Sequence, residues 1–198
     1  MKLIFALLLI SAFHLTPDQI ILNMGKNIFT PDKIIKVEGR NSQDEKITLE
    51  FKKSDASLKT EGKSSYLEND KFPLFLQLFF FPDDLDGLKA PETFSKKILS
   101  ALSKKGINVE KKTLTIVKNT NEAGISIGKE KRFSNAPELI LYKRNFLPAI
   151  LKLNEVTYQF SDYSKSVKPM VFPGKIEIIE DEKIVETWTF YRKEFYLD

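Results

Sequence analysis

Gly124-Ile125-Ser126-Ile127-Gly128 fits G-x-S-x-G, the nucleophile elbow of α/β-hydrolases. That chemistry needs a strand that turns sharply into a helix, so that the serine stands exposed, and an acid and a histidine further along the chain. Here Ile125 and Ile127 alternate as in a strand, the residues after Gly128 are charged, and the one histidine, His14, precedes Ser126. Hydrolysis by this serine would lack its base. The acidic stretch Asp83-Asp84-Leu85-Asp86-Gly87 invites a calcium loop. With Asp84, Asp86 and Gly87 at loop positions 3, 5 and 6, Pro82 and Thr93 occupy positions 1 and 12, where carboxylates are required. Glu177, Glu180, Asp181 and Glu182 form a charged hairpin end and not an acid and base held in contrasting environments. No glycine-rich phosphate loop opens a helix. With no cysteine there is no thiolate metal site, no disulfide framework and no lipobox. The residues therefore predict no enzyme, no cofactor and no metal.

The elements that carry these groups are of two kinds. Thr16-Pro17-Asp18 reads as a helix start, and Ile20, Ile21, Met24 and Ile28 follow at helical spacing, giving a short amphipathic helix to about Asn27. A second helix opens near Pro91, puts Phe94, Ile98, Ala101 and Leu102 on one face, and stops at Gly106. Lys96, Lys97, Lys104 and Lys105 flank that face as its solvated side. Everything else alternates with period two. Residues 34–39 and 47–52 are strands joined by a polar turn, Asn41 to Glu45, with shorter pieces at Ser57–Thr60 and Ser65–Leu67. From Thr113 onward come strands around 114–117, 125–127, 139–141, 147–153, 156–161, 176–178 and 184–191. No internal repeat or linker divides them.

The chain has 198 residues, 42% hydrophobic and 29% charged, which suits one globular domain with a real core. Its 31 basic and 27 acidic residues are interleaved, giving +4 and a pI near 9.0. That balance tolerates anionic headgroups but lacks the concentrated basic stripe of a nucleic-acid binder. Met1-Lys2, the apolar stretch Leu3 to Ile10 and the small residues after it have the pattern of a secretory signal, with cleavage expected after Ala12. The expected organisation is a signal peptide over 1–12 and one domain over 13–198, exported, cysteine-free and hence periplasmic.

One segment fits neither class. Phe72 to Phe81 reads FPLFLQLFFF, with Gln77 its one polar residue. It is apolar on every side as a helix and on both faces as a strand, yet far short of the roughly 20 residues that span a bilayer. It must be enclosed by protein or lie against something apolar that the protein holds. Tyr158, Phe160, Trp188 and Phe190 project from late strands as the matching surface. Two outcomes follow: an ordinary core under a helix, or an apolar pocket with this run as its cover.

The late pattern, Val156-Thr-Tyr-Gln-Phe-Ser-Asp-Tyr163, then Val171-Phe-Pro-Gly-Lys-Ile-Glu-Ile178, then Trp188-Thr-Phe190, resembles the F-x-D-Y … F-P-x-x-I signature of bacterial outer-membrane lipoprotein carrier-like (LolA-like) proteins. Upstream, Leu102–Asn108, Gly124–Gly128 and Pro137–Pro148 resemble the middle of the same group, in order. Ser164 stands where many relatives carry Arg, so no ligand-binding arginine carries over. The resemblance implies an α+β, mainly antiparallel fold: a half-open β-barrel, or curved sheet, covered by short helices around a hydrophobic cavity. It further implies non-enzymatic binding of a lipid or the acyl chain of a lipoprotein, for transport or envelope biogenesis, by a monomer that meets membrane-associated donor or acceptor proteins and no nucleic acid. Phe72, Phe75, Leu78, Phe79, Tyr158, Phe160, Trp188 and Phe190 are the candidate ligand-binding residues, with Arg40 as a headgroup contact. The alternative is a structural or interaction protein of the cell envelope that uses the same fold with a filled core.

Overall fold

A computed structural model describes residues 15–28, 34–52, 57–61, 73–79, 90–110, 114–118, 123–129, 136–163 and 171–196. The expected leader, His14, the Ser65–Leu67 piece, Asp83–Gly87, Phe72 and Ser164 lie outside them.

Helix α1 (Pro17–Ile28) begins with a reciprocal capping box. The Gln19 N–H donates to Thr16 Oγ1 at 3.2 Å, and the Thr16 N–H donates to Gln19 Oε1 at 3.0 Å. Its apolar stripe, Ile20, Ile21, Met24 and Ile28, is fully buried. Strands β1 (Ile34–Arg40), β2 (Lys46–Lys52) and β3 (Ser57–Glu61) follow. The Phe-rich run supplies a single helical turn, α2 (Leu74–Gln77). Helix α3 (Ala90–Lys104) buries Phe94, Ile98 and Leu102. It ends in a Schellman motif, with the Ile107 N–H on Leu102 O and the Gly106 N–H on Ser103 O. Gly106 takes the φ of +84° that this stop requires. Ser95 on α3 pins it to α1, its hydroxyl donating to Asp18 O at 3.1 Å and to Asp18 Oδ1 at 3.0 Å.

The remaining strands are β4 (Thr115–Lys118), β5 (Ala123–Ile127), β6 (Glu138–Tyr142), β7 (Pro148–Lys152), β8 (Thr157–Ser161), β9 (Lys175–Glu180) and β10 (Lys183–Tyr196). All ten strands form one antiparallel sheet in the order β3-β2-β1-β10-β9-β8-β7-β6-β5-β4. The sheet is a curved, half-open barrel covered by the short helices, and β3 and β4 are its ends. Alternation sorts the side chains as the sequence pattern requires. Val37, Leu49, Leu139, Leu151, Phe160, Ile178 and Trp188 face the helices and are fully buried, in one core that also includes residues of α1, α2 and α3.

The last strand departs from expectation, running to Tyr196 and not stopping near Tyr191. Its first part, Lys183 to Thr189, pairs with β9, and its second, Thr189 to Tyr196, pairs with β1. Thr189 is the residue where the partner changes. A register shift lies on either side, between Ile184 and Glu186 and opposite Glu38/Gly39, and such bulges bend a strand and tighten its twist. Gly39 answers the second bulge. A β-carbon there would lie 2.5 Å from Thr189 O and 2.8 Å from Phe190 Cδ1, so the ring of Phe190 occupies the space a side chain would take. Gly39→Ala is therefore expected to lower unfolding stability by about 1–3 kcal/mol through forced displacement of the β10 backbone at Thr189 and of the Phe190 ring. The urea midpoint should fall with the m-value unchanged; an unmoved midpoint would mean that the bulge absorbs the methyl group freely.

Candidate functional site

Pro73 starts α2 with an extended ψ of 141° and lends its carbonyl to the Leu76 and Gln77 N–H groups at 3.0 and 3.1 Å. The turn closes with the Leu78 N–H on Leu74 O and the Phe79 N–H on Leu76 O. So four N–H groups of this short segment bond locally, as a stretch surrounded by apolar side chains demands. Among the described residues α2 takes no part in the sheet ladder. Leu76 and Leu78 are fully buried, and Phe75 and Phe79 are each 1% exposed.

The two phenylalanines enter the inner face of the sheet. Phe75 stacks on Tyr158 with ring centroids 4.3 Å apart and planes at 13°, and lies 5.6 Å from Trp188. Phe79 meets Phe160 edge-on at 5.2 Å and Phe172 at the same distance. Phe172 in turn meets Phe190 at 5.1 Å. Seven of the sequence-derived site residues are thus brought together: Phe75, Leu78 and Phe79 from the run, Tyr158 and Phe160 from β8, Trp188 and Phe190 from β10. These offset and edge-on arrangements are the favoured geometries for ring pairs.

Phe172, Tyr163 and Glu186 belong to the same cluster and were not singled out from the sequence. Phe172 lies in the irregular segment before β9, where period-two alternation gives no signal, although it opens the F-P pair of the late motif. Glu186 shares a face with Trp188 and accepts its indole N–H at 2.7 Å, both groups being buried. That bond answers the polar tip of the tryptophan within an otherwise apolar face. Tyr163 donates its hydroxyl to Pro148 O at 2.6 Å, with the Tyr142 ring edge-on at 6.1 Å. Burial, with a smaller contribution from Tyr142, pushes the Tyr163 phenol well above its usual range. The Asp162–Gly174 contact locks the two halves of the motif. The Gly174 N–H donates to Asp162 O at 3.2 Å, and a β-carbon on Gly174 would lie 2.8 Å from that oxygen.

The other candidate groups sit elsewhere. Ser126 is in mid-strand on β5, opposite Thr115 and Ile140, fully buried, and its hydroxyl donates to Glu138 Oε2 at 2.5 Å. It forms no strand-to-helix elbow. Arg40 closes β1 on the outer face, opposite the exposed Thr189, and its Nη1 lies 2.9 Å from Asp44 Oδ2. That partner holds the guanidinium pKa above its ordinary value. The structure does not bring Arg40 to the aromatic cluster. Also on the outer face, Lys46 at 3.0 Å and Lys36 at 3.3 Å grip Glu38, and chiefly through Lys46 keep its carboxyl below the usual range. Among the described residues no three His, Cys, Asp or Glu side chains are placed to hold a metal, and no helix is long and apolar enough to cross a membrane.

The chain is similar to two solved structures of the group that its late motifs resemble. One is a LolA superfamily protein from Nitrosomonas europaea, with 11% identity and a TM-score of 0.44 over 92% of this chain and 94% of that one. The other is a candidate outer membrane lipoprotein-sorting protein domain from Vibrio parahaemolyticus, with 9% identity and a TM-score of 0.40 over 90% of this chain and 91% of that one. No protein-family profile and no curated protein matches the sequence.

The raised Tyr163 pKa has a definite sign. The stabilisation is complete below the unfolded value of about 10, where both states keep the proton, and is lost as pH rises beyond it toward the higher folded value. Tyr163→Phe should lose about 1 kcal/mol at pH 8 through the missing hydrogen bond. The gap between wild type and variant should narrow above a pH of about 10. Urea midpoints measured from neutral to alkaline pH check this, and a constant gap would refute it.

Proposed function

We propose that the protein is a non-enzymatic binder of an apolar chain, the acyl part of a lipid or of an acylated protein. The chain would lie between the inner face of the sheet and α2, with Phe75, Leu78, Phe79, Tyr158, Phe160, Trp188 and Phe190 as its lining. The role fits a single ligand-binding domain over 13–198 that acts in the periplasm as a monomer and exchanges lipid or lipoprotein with membrane-associated donors and acceptors.

The observation that carries this reading is the way α2 is held. It is one turn with its own local hydrogen bonds, and it meets the sheet through ring contacts, Phe75 on Tyr158 and Trp188 and Phe79 on Phe160. Apolar contact is non-directional, so an acyl chain can replace Phe75 and Phe79 against the same rings at roughly 0.8 kcal/mol per buried CH₂. The late sequence motifs support the same assignment. The close ring packing also favours a second reading, a structural or interaction protein of the envelope in which these side chains are simply core.

The natural absence of cysteine separates the two. Leu76→Cys places one thiol under α2, and Leu151→Cys places one in the sheet core. If α2 opens locally, the first should react with a soluble thiol reagent at least about tenfold faster than the second, because local opening costs less than global unfolding. Added fatty acid should change the rate at position 76 alone. Protein purified from bacteria should also carry acyl material detectable by native mass spectrometry. Equally slow labelling at both positions, with protein that is empty and ignores fatty acid, would leave the filled-core reading.

A further inference from the structure

A groove of about 900 Å³ lies on the outer face of the sheet, beside the β7–β8 and β9–β10 hairpin ends. Its floor is apolar: Ile140, Ile150 and Ile179, each at an outward position of its strand. Pairing extends the row across the sheet. Ile140 stands opposite Ile150, Thr157 opposite Ile179, and Ile179 opposite Ile184. Simple alternation would bury Ile184, two residues before Glu186 on the face that holds Trp188 and Phe190. The register shift between Ile184 and Glu186 turns it out instead, leaving Ile184 58% and Val185 42% exposed. Two consecutive apolar side chains thus reach solvent at the end of an apolar floor. Single exposed apolar residues need no explanation, whereas a contiguous row with a polar rim marks an interaction surface. Here the rim is Glu138, Glu155, Glu180, Asp181 and Glu182, and Lys152, the one basic side chain lining the groove, can offset only one of the five. Asp181 and Glu182 make the two-residue β9–β10 turn at φ of 47° and 63°, where Asn-Gly sits with least strain.

We infer that this face docks a protein partner through a cationic amphipathic helix. The apolar stripe of that helix lies along Ile140, Ile150, Ile179, Ile184 and Val185, and its lysines or arginines meet the carboxylate rim. Charge selects the occupant. An anionic membrane would be repelled by the rim. A second copy of this chain offers no free cationic stripe with an apolar face, because its lysine-rich helix α3 already buries Phe94, Ile98 and Leu102 in the core. Length is set by the sheet. From β6 to β10 there are four gaps between strands, roughly 19 Å at about 4.8 Å each, which is the length of about 13 helical residues. The row lies on the opposite face from Phe75 and Phe79, so the inference stands whether or not α2 opens.

The probe is a fluorescein-labelled peptide of about 14 residues, with leucines at helical spacing and lysines elsewhere. A peptide with glutamate in place of lysine is its control. Anisotropy titrations should show the lysine peptide binding at least about tenfold more tightly than the control, as complementary charge allows. It should move the amides of residues 150–157 and 179–186. The Ile184→Ser/Val185→Ser variant changes exposed positions, and circular dichroism checks its fold. It should bind the lysine peptide about tenfold more weakly. The Glu155→Gln/Asp181→Asn/Glu182→Gln variant should bind both peptides alike. Equal binding of the two peptides by the wild type, or wild-type behaviour in both variants, overturns the docking face. Sedimentation and vesicle binding test the other occupants. A wild-type dimer that the serine variant cannot form makes the face a contact between copies, and the cationic partner falls. Binding to vesicles of equimolar phosphatidylglycerol and phosphatidylcholine, lost in the serine variant, assigns the face to a membrane and overturns the inference equally.

Discussion

The structure depends on the change of partner along β10. Without that strand the sheet would be two pieces, β3-β2-β1 and β9 to β4, with nothing to hold them in one curve. Its early residues bond to β9, its late ones to β1, and the exchange happens at Thr189. Register shifts flank the exchange, which concentrates bend and twist where the two halves meet. Trp188 and Phe190 stand on either side of Thr189 and point inward, so the corner of the backbone is also the floor of the aromatic cluster. Gly39 completes the arrangement by leaving room for Phe190 on the neighbouring strand. Backbone pairing and ring packing are here one constraint.

The helices are attached by contrasting means. Between α1 and α3 there is a directional link, Ser95 to Asp18, and each of these helices carries its own stop or start signal in hydrogen bonds. Turn α2 has no side-chain cap and is only one turn long, too short to be stable in isolation. It is held by burial of its leucines and of Phe75 and Phe79, each worth about 1.5–3 kcal/mol relative to exposure. Exposing both rings to water would cost about 3–6 kcal/mol, whereas an acyl chain contributes about 0.8 kcal/mol for every methylene it buries in their place. Some eight methylenes, about 6 kcal/mol, offset even the larger figure. The balance is of the right order for exchange between ring and chain.

Much of this was legible in the residues because burial imposes period. Alternation in Leu139, Leu141, Tyr158, Phe160, Ile176 and Ile178 marked the inner face, and Thr16-Pro17 and Gly106 marked helix limits through chemistry confined to a few residues. The union of Phe75 and Phe79 with Tyr158, Phe160 and Trp188 was legible for a related reason: a run with no wet side has to meet an apolar face. The partner change at Thr189 was not, since it depends on which edge each half of β10 finds, and both halves look like ordinary strand. Phe172 escaped because it sits outside the strands, where alternation does not apply. The Trp188–Glu186 bond escaped because a glutamate in a strand reads as solvent-facing until its neighbour's indole is seen to need an acceptor.

The same cluster explains why a filled core and a binding site are alike at rest here. A site for acyl chains must be apolar, and an apolar trough left open to water would be unfavourable by the transfer energy of its whole lining. The chain's own phenylalanines remove that cost when they occupy the trough. What distinguishes a cover from a core is then the attachment of the occupant and not the occupant itself. Leu151 and Phe160 belong to strands bonded on both sides, so they leave only when the sheet opens. Phe75 and Phe79 are carried by a turn outside that ladder, so their departure leaves the ten-strand pairing whole. That difference in backbone attachment is the physical basis of the proposal that α2 opens while the sheet stays paired.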